Sequence, residues 1–135
     1  MQMRRKKTCY RGLSIIETAI VLPILVLVTL GVIHFAWLFL KAHQVTTIAR
    51  HGARLAALYE ANRTEVGNHI QSLLSNAGIE GATVAFDDVM VDGHDSVRVR
   101  ITVPGANVAI LNLSGFGVLT PENLGAAATM VKEGS

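Results

Sequence analysis

Cysteine is nearly absent: Cys9 is the only one in 135 residues. No intramolecular disulfide can form and no four-cysteine zinc site can assemble, which excludes a small secreted scaffold stapled by bridges. Charge is scarce too, at 16% of residues against 50% hydrophobic. That balance is the opposite of a disordered chain's and more apolar than a soluble domain of this length normally carries. Catalytic patterns are also missing. The five histidines form no His-Glu-x-x-His, no serine sits in a Gly-x-Ser-x-Gly elbow, and no glycine-rich loop ends in Lys-Ser or Lys-Thr. Nothing here supports an enzyme, and no catalytic residue, metal or cofactor is expected. Asp88, Asp92 and Gly93 have the spacing of an EF-hand loop, but Met90 and Val99 fall where its oxygen ligands belong. An irregular cation site built from Asp87, Asp88, Asp92 and Asp95 is the alternative to a solvated acidic turn.

No acidic residue precedes Glu17, whereas Arg4, Arg5, Lys6, Lys7 and Arg11 supply five of the twelve basic ones. Beyond residues 1–12, seven basic side chains face ten acidic ones. The pI near 9.0 therefore belongs to a short N-terminal segment. Nucleic-acid binding has no electrostatic motive, and the positive-inside rule holds this end in the cytoplasm.

What the chain does have is a run of 23 residues, Thr18 to Leu40, without Asp, Glu, Lys or Arg. As a helix at about 1.5 Å per residue it reaches roughly 34 Å, enough to span a bilayer and contact membrane lipid. It exceeds the apolar core of a secretory signal, about 7–15 residues, and no small-x-small cleavage site follows it. Phe35, Trp37 and Phe39 near its far end, then Lys41 and His43, suit an aromatic belt and a polar exit, with the rest of the chain outside the cytoplasm. The helical pattern goes on: Val45, Ile48, Gly52, Leu55 and Tyr59 recur at spacings of three and four, with His43, Thr47, Arg50 and Arg54 on other faces. One helix is expected from Leu13 to about Tyr59. Pro23 lacks the N–H that would bond the Ala19 carbonyl, so a kink is expected there, serving either as a hinge or as a tolerated irregularity. His34 reads as a helix-packing residue, with a proton relay as the alternative. Arg50 and Arg54 gain nothing from each other at i, i+4 and face water, anionic headgroups or a partner.

The remainder predicts a small α+β domain. Asn62 with Glu65 makes a capping-box start, Val66, Ile70, Leu73, Leu74 and Ala77 form a helical stripe, and Gly78 suits a C-terminal cap. Thr83 to Val91 is β-prone, but the apolar phase slips between Val84/Phe86 and Val89/Val91, which predicts a bulge at Asp87-Asp88. Asp92 to Asp95 predicts a turn. Ser96 to Val103 alternates cleanly, with Val97, Val99, Ile101 and Val103 on one face. Gly105 to Thr120 holds Val108, Ile110, Leu111, Leu113, Phe116 and Leu119, apolar enough to cover a core or face a partner. Gly125 to Val131 predicts a last strand, rich in alanine and able to lie close under a helix. About three antiparallel strands are expected.

Three stretches together carry a family resemblance: Arg11-Gly12-Leu13-Ser14-Ile15-Ile16-Glu17 ahead of the apolar run, Val21-Leu22-Pro23 inside it, and Ala49-Arg50-His51-Gly52-Ala53-Arg54 after it. The first resembles the processing site of type IV pilin-like proteins, which prepilin peptidase cuts after the glycine. The set is similar to TadE-like proteins, minor pseudopilins of the tight-adherence (Flp) pilus machinery, and Ala126-Ala127-Ala128-Thr129-Met130 also fits that family. Thr18 stands where Flp-type pilins carry an aromatic residue, which argues against the major pilin. The resemblance implies a pilin-like architecture in three parts: a basic leader, 1–12, removed by cleavage between Gly12 and Leu13; a long helix, 13–59, spanning the membrane over about 18–40; and an extracytoplasmic domain, 60–135. Cys9 would leave with the leader. The resemblance also implies the inner membrane as location, and prepilin peptidase, other pilin-like subunits and the pilus assembly platform as partners. Cleavage creates an α-amine on Leu13 four residues before Glu17, and in such families a neighbour's amine is the partner of that carboxylate. Two alternatives stay open: Glu17 snorkelling to water at the interface, and an uncleaved bitopic protein whose outer domain binds an envelope partner or ligand.

Overall fold

The computed structural model describes residues 11–58, 62–108 and 122–133; for residues 11–14 it describes the backbone alone. The order is a helix α1, Arg11–Ala56; a helix α2, Arg63–Asn76; strands β1, Thr83–Val91, and β2, His94–Pro104; a 3-10 turn, Gly105–Asn107; and a strand β3, Asn123–Val131. The fold is α+β, with one antiparallel sheet in the order β1-β2-β3. The expected basic leader lies outside the described residues except for its last two positions, and so do Tyr59 and most of the apolar connection after Val108.

Two compact units divide the chain, Met1–Phe35 and Ala36–Ser135. In the first, every large apolar side chain from Ile15 to Ile33 is exposed, and the helix is long and apolar enough to cross a membrane. A face this apolar cannot stand in water without cost, at about 25 cal/mol for each Å² exposed, so α1 is a candidate membrane anchor. Thr29 donates its hydroxyl to the Leu25 carbonyl at 2.8 Å, which satisfies it within its own helix. His34 is buried, and neither ring nitrogen has a hydrogen-bond partner among the described residues.

In the second unit α1 turns one stripe inward. Leu38, Lys41, Val45, Ile48, Ala49 and Ala53 are buried along one helix face, while His43, Thr47, Arg50 and Arg54 point to solvent. The small residues on that stripe let neighbours approach closely. A Cβ on Gly52 would sit 2.9 Å from Ile70 Cγ1 of α2 and closer still to its Cδ1. Helix α2 starts where Asn62 accepts a 3.0 Å hydrogen bond from the Thr64 amide. It stops at Gly78, φ +65°, in a Schellman arrangement: the Ile79 amide bonds the Leu74 carbonyl and the Gly78 amide bonds the Ser75 carbonyl, both at 2.9 Å. Ile79 and Leu74 complete the motif as buried apolar neighbours in the core.

The sheet's inner face carries Val97, Val99, Ile101 and Val103, all fully buried, flanked by Val84 and Phe86 on β1 and by Leu124, Ala126, Ala128 and Met130 on β3. Each buried valine or isoleucine is worth about 1.5–3 kcal/mol. Two expectations are corrected here. No bulge interrupts β1: pairing runs unbroken from Thr83↔Thr102 to Val91↔His94, through Asp87↔Arg98 and Asp88↔Val97. The apolar slip arises because Val89 and Val91 belong to the outer face, leaving Asp88 on the inner face at the sheet's rim, where cations reach it. The turn is also tighter than expected. Only Asp92 and Gly93 lie outside the strands, with φ of 51° and 82°, the pair of positive values that a two-residue type I′ hairpin demands. At the far end the Gly105 amide bonds the Glu122 carbonyl at 3.1 Å, which brings both ends of the long β2–β3 connection together.

Candidate assembly site

The backbone is helical at Arg11 and beyond, so the Gly12–Leu13 peptide bond lies within α1. Glu17 follows Leu13 by four residues, or about 6 Å of axial rise. Its side chain is exposed, on a face with Thr18, Val21, Leu22 and Leu25 that together line one shallow hollow. An acid therefore sits at one end of a largely apolar surface. Pro23 stands within α1, and the helix is assigned continuously on both sides of it.

The Arg50-to-Arg54 stretch splits by face. Gly52 and Ala53 point inward, where Ile70 seats against the Gly52 backbone and Ala53 is fully buried. Arg50 and Arg54 point outward and form no ion pair among the described residues. A helix turn of 100° per residue produces this partition from a run of five consecutive residues.

The acidic turn does not make a cation site. Asp87 and Asp88 project from opposite faces of β1, and each already has a cation: Arg100 lies 3.7 Å from Asp87, while Arg63 and Lys132 approach Asp88 at 2.7 and 2.8 Å. Hydrogen bonds from Arg63 first and Lys132 second hold the Asp88 carboxyl down to about 2. Among the described residues no three His, Cys, Asp or Glu side chains converge.

Lys41, read from the sequence as part of a polar exit, is buried, donating to the carbonyl of Ala77 at the C-terminus of α2 with its ammonium 4.9 Å from the Trp37 ring centre. The reason is electrostatic: the Ala77 carbonyl lies just past the Schellman bonds, at the negative end of the α2 dipole. Trp37 donates its indole N–H to the Val108 carbonyl at 3.1 Å. Gly78 announces where α2 ends, but no local signal says that a lysine 36 residues earlier will reach that end.

The motif-bearing stretches thus fall on one helix, with Gly12 at its start and Arg54 in its last turn. Residues 12–54 match the family model of TadE-like proteins. The match covers less than half the chain and lies wholly on α1. No curated protein and no solved structure gives a match. The TadE-like family is structural and associated with the tight-adherence pilus. The matched segment contains the apolar surface from Ile15 to Ile33, the candidate membrane anchor.

Proposed function

We propose that the protein is a minor pseudopilin of the tight-adherence pilus or a related secretion pseudopilus. It is anchored in the bacterial inner membrane with its N-terminus in the cytoplasm and the domain after Lys41 outside. Prepilin peptidase cuts it between Gly12 and Leu13, and the TadE-like helix then packs against other pilin-like subunits at the assembly platform. The observation that carries this reading is Glu17, an exposed carboxylate among exposed apolar side chains. A charge at membrane depth costs at least about 2.5 kcal/mol by insertion scales unless it is neutralised. The α-amine that cleavage creates on Leu13 of a neighbouring subunit neutralises it, so relief of that cost favours assembly. Pro23, six residues on, frees the Ala19 carbonyl and gives the packed helix a place to bend.

Two measurements test the reading. The mass of the protein extracted from membranes of cells with active prepilin peptidase should correspond to a chain beginning at Leu13. Retention of residues 1–12 would instead support an uncleaved bitopic protein. Glu17→Gln keeps the side chain's shape and removes its charge; the variant should be processed and inserted normally, yet recover fewer pilin-like partners on co-purification. Wild-type recovery would mean that Glu17 only snorkels at the interface.

A further inference from the structure

Two exposed histidines meet across the helix pair. His51 of α1 and His69 of α2 have ring centroids 5.7 Å apart with their planes tilted by 52°. Their positions are set by the packing beneath them. Gly52 and Ile70, the next residue on each helix, form the contact in which the Ile70 side chain lies on the glycine backbone, and Ile70 is fully buried. The two imidazoles therefore stand side by side at the rim of a tightly packed crossing, open to solvent.

The geometry points to a two-histidine site for a divalent transition metal that clamps α1 to α2. Imidazole nitrogen is a ligand suited to zinc, nickel and copper. With metal–nitrogen bonds of about 2.0–2.1 Å and near-tetrahedral angles, two imidazoles on one zinc have ring centres roughly 5 Å apart. The observed 5.7 Å lies within a small side-chain rotation of that spacing. Water fills the remaining positions, since no third His, Cys, Asp or Glu converges among the described residues. Glu65, one helical turn before His69, adds negative charge near the site, and Arg54, one turn after His51, opposes it; both are exposed, so water and salt screen them. A metal bound only when both helices are in place stabilises the folded state by linkage. This inference is independent of the pseudopilin reading, because it rests on the second unit alone.

The test uses the full chain in detergent with zinc ion as probe. Thermal unfolding of the wild type should shift upward with added zinc, and direct titration should give one zinc per chain. His51→Ala and His69→Ala should each abolish the shift and weaken zinc binding by more than about tenfold, the loss seen when even an outer-shell partner of a metal is removed. Both side chains are exposed, so neither substitution removes core packing. His94→Ala, on β2, should respond to zinc like the wild type. The absence of a zinc-dependent shift in the wild type, or a shift that survives either His51→Ala or His69→Ala, would overturn the proposal.

Discussion

At Gly52 two effects of the same added methyl group oppose each other. Alanine is favoured over glycine within a helix by about 1 kcal/mol. Here its Cβ would press on Ile70, which is fully buried and has nowhere to go, and overpacking of this kind costs about 1–3 kcal/mol. The packing cost outweighs propensity, so Gly52→Ala should lower the stability of the outer domain by about 1 kcal/mol in denaturant titration. Ile70→Val removes the offending Cδ1, and the double variant should lose less than the two single changes together, a coupling that a double-mutant cycle reads directly. At Gly31 a Cβ meets nothing within 4 Å, and alanine there should leave stability unchanged or raise it. The sequence marks Gly52 as part of a motif and as a member of the apolar stripe. What it does not contain is the identity of the atom that glycine makes room for, because Ile70 lies on another element.

On the scale of elements, the end of α2 is held by a side chain from α1. Without Lys41 the Ala77 carbonyl loses its buried donor, and an unsatisfied buried polar group costs about 1–3 kcal/mol. Lys41→Met keeps the stem and removes the ammonium. Its unfolding midpoint should fall, and hydrogen exchange should quicken at the Ala77 and Gly78 amides before it quickens in β2. Element identities were legible because each has a local cause: the stripe and Asn62 cap of α2, the clean alternation of β2, and the helical period of α1 beyond Leu40. Local pattern misled at β1 and was silent on the partner of Lys41 for the same reason. Val89 and Val91 look like core residues one step out of phase, yet pairing with β2 decides which face each takes. Lys41 reads as a polar exit, and only the distant end of α2 shows where its ammonium goes. The site was legible to a similar depth: Glu17 is conspicuous as the first acid beside an apolar run, whereas the His51–His69 meeting requires knowing how the helices face each other.

For the molecule as a whole, Asp88 is a junction among elements distant in sequence. It ties Arg63 at the start of α2 and Lys132 just past β3 to the rim of β1. Its carboxyl is held at about 2, below the ordinary 3.8, so its contribution is fully present above about pH 4 and is lost as the pH falls towards 2. The group is exposed, so the effect should be small and weaken with salt. The unfolding midpoint should decline over that acid window in the wild type, and Asp88→Asn should flatten this part of the profile. The same sheet has an unequal arrangement of chain distances. A two-residue turn joins β1 to β2, whereas β3 pairs with β2 only after a connection of residues 105–122 has closed on itself. Closing a long loop costs entropy before its contacts repay it, so the hairpin is the natural nucleus and β3 the late arrival. Until β3 docks, the β2 edge is an open template for any passing strand. The alanine-rich strand β3 takes up that edge, and its long connection predicts that it docks last, leaving the β2 edge open to mispairing until then.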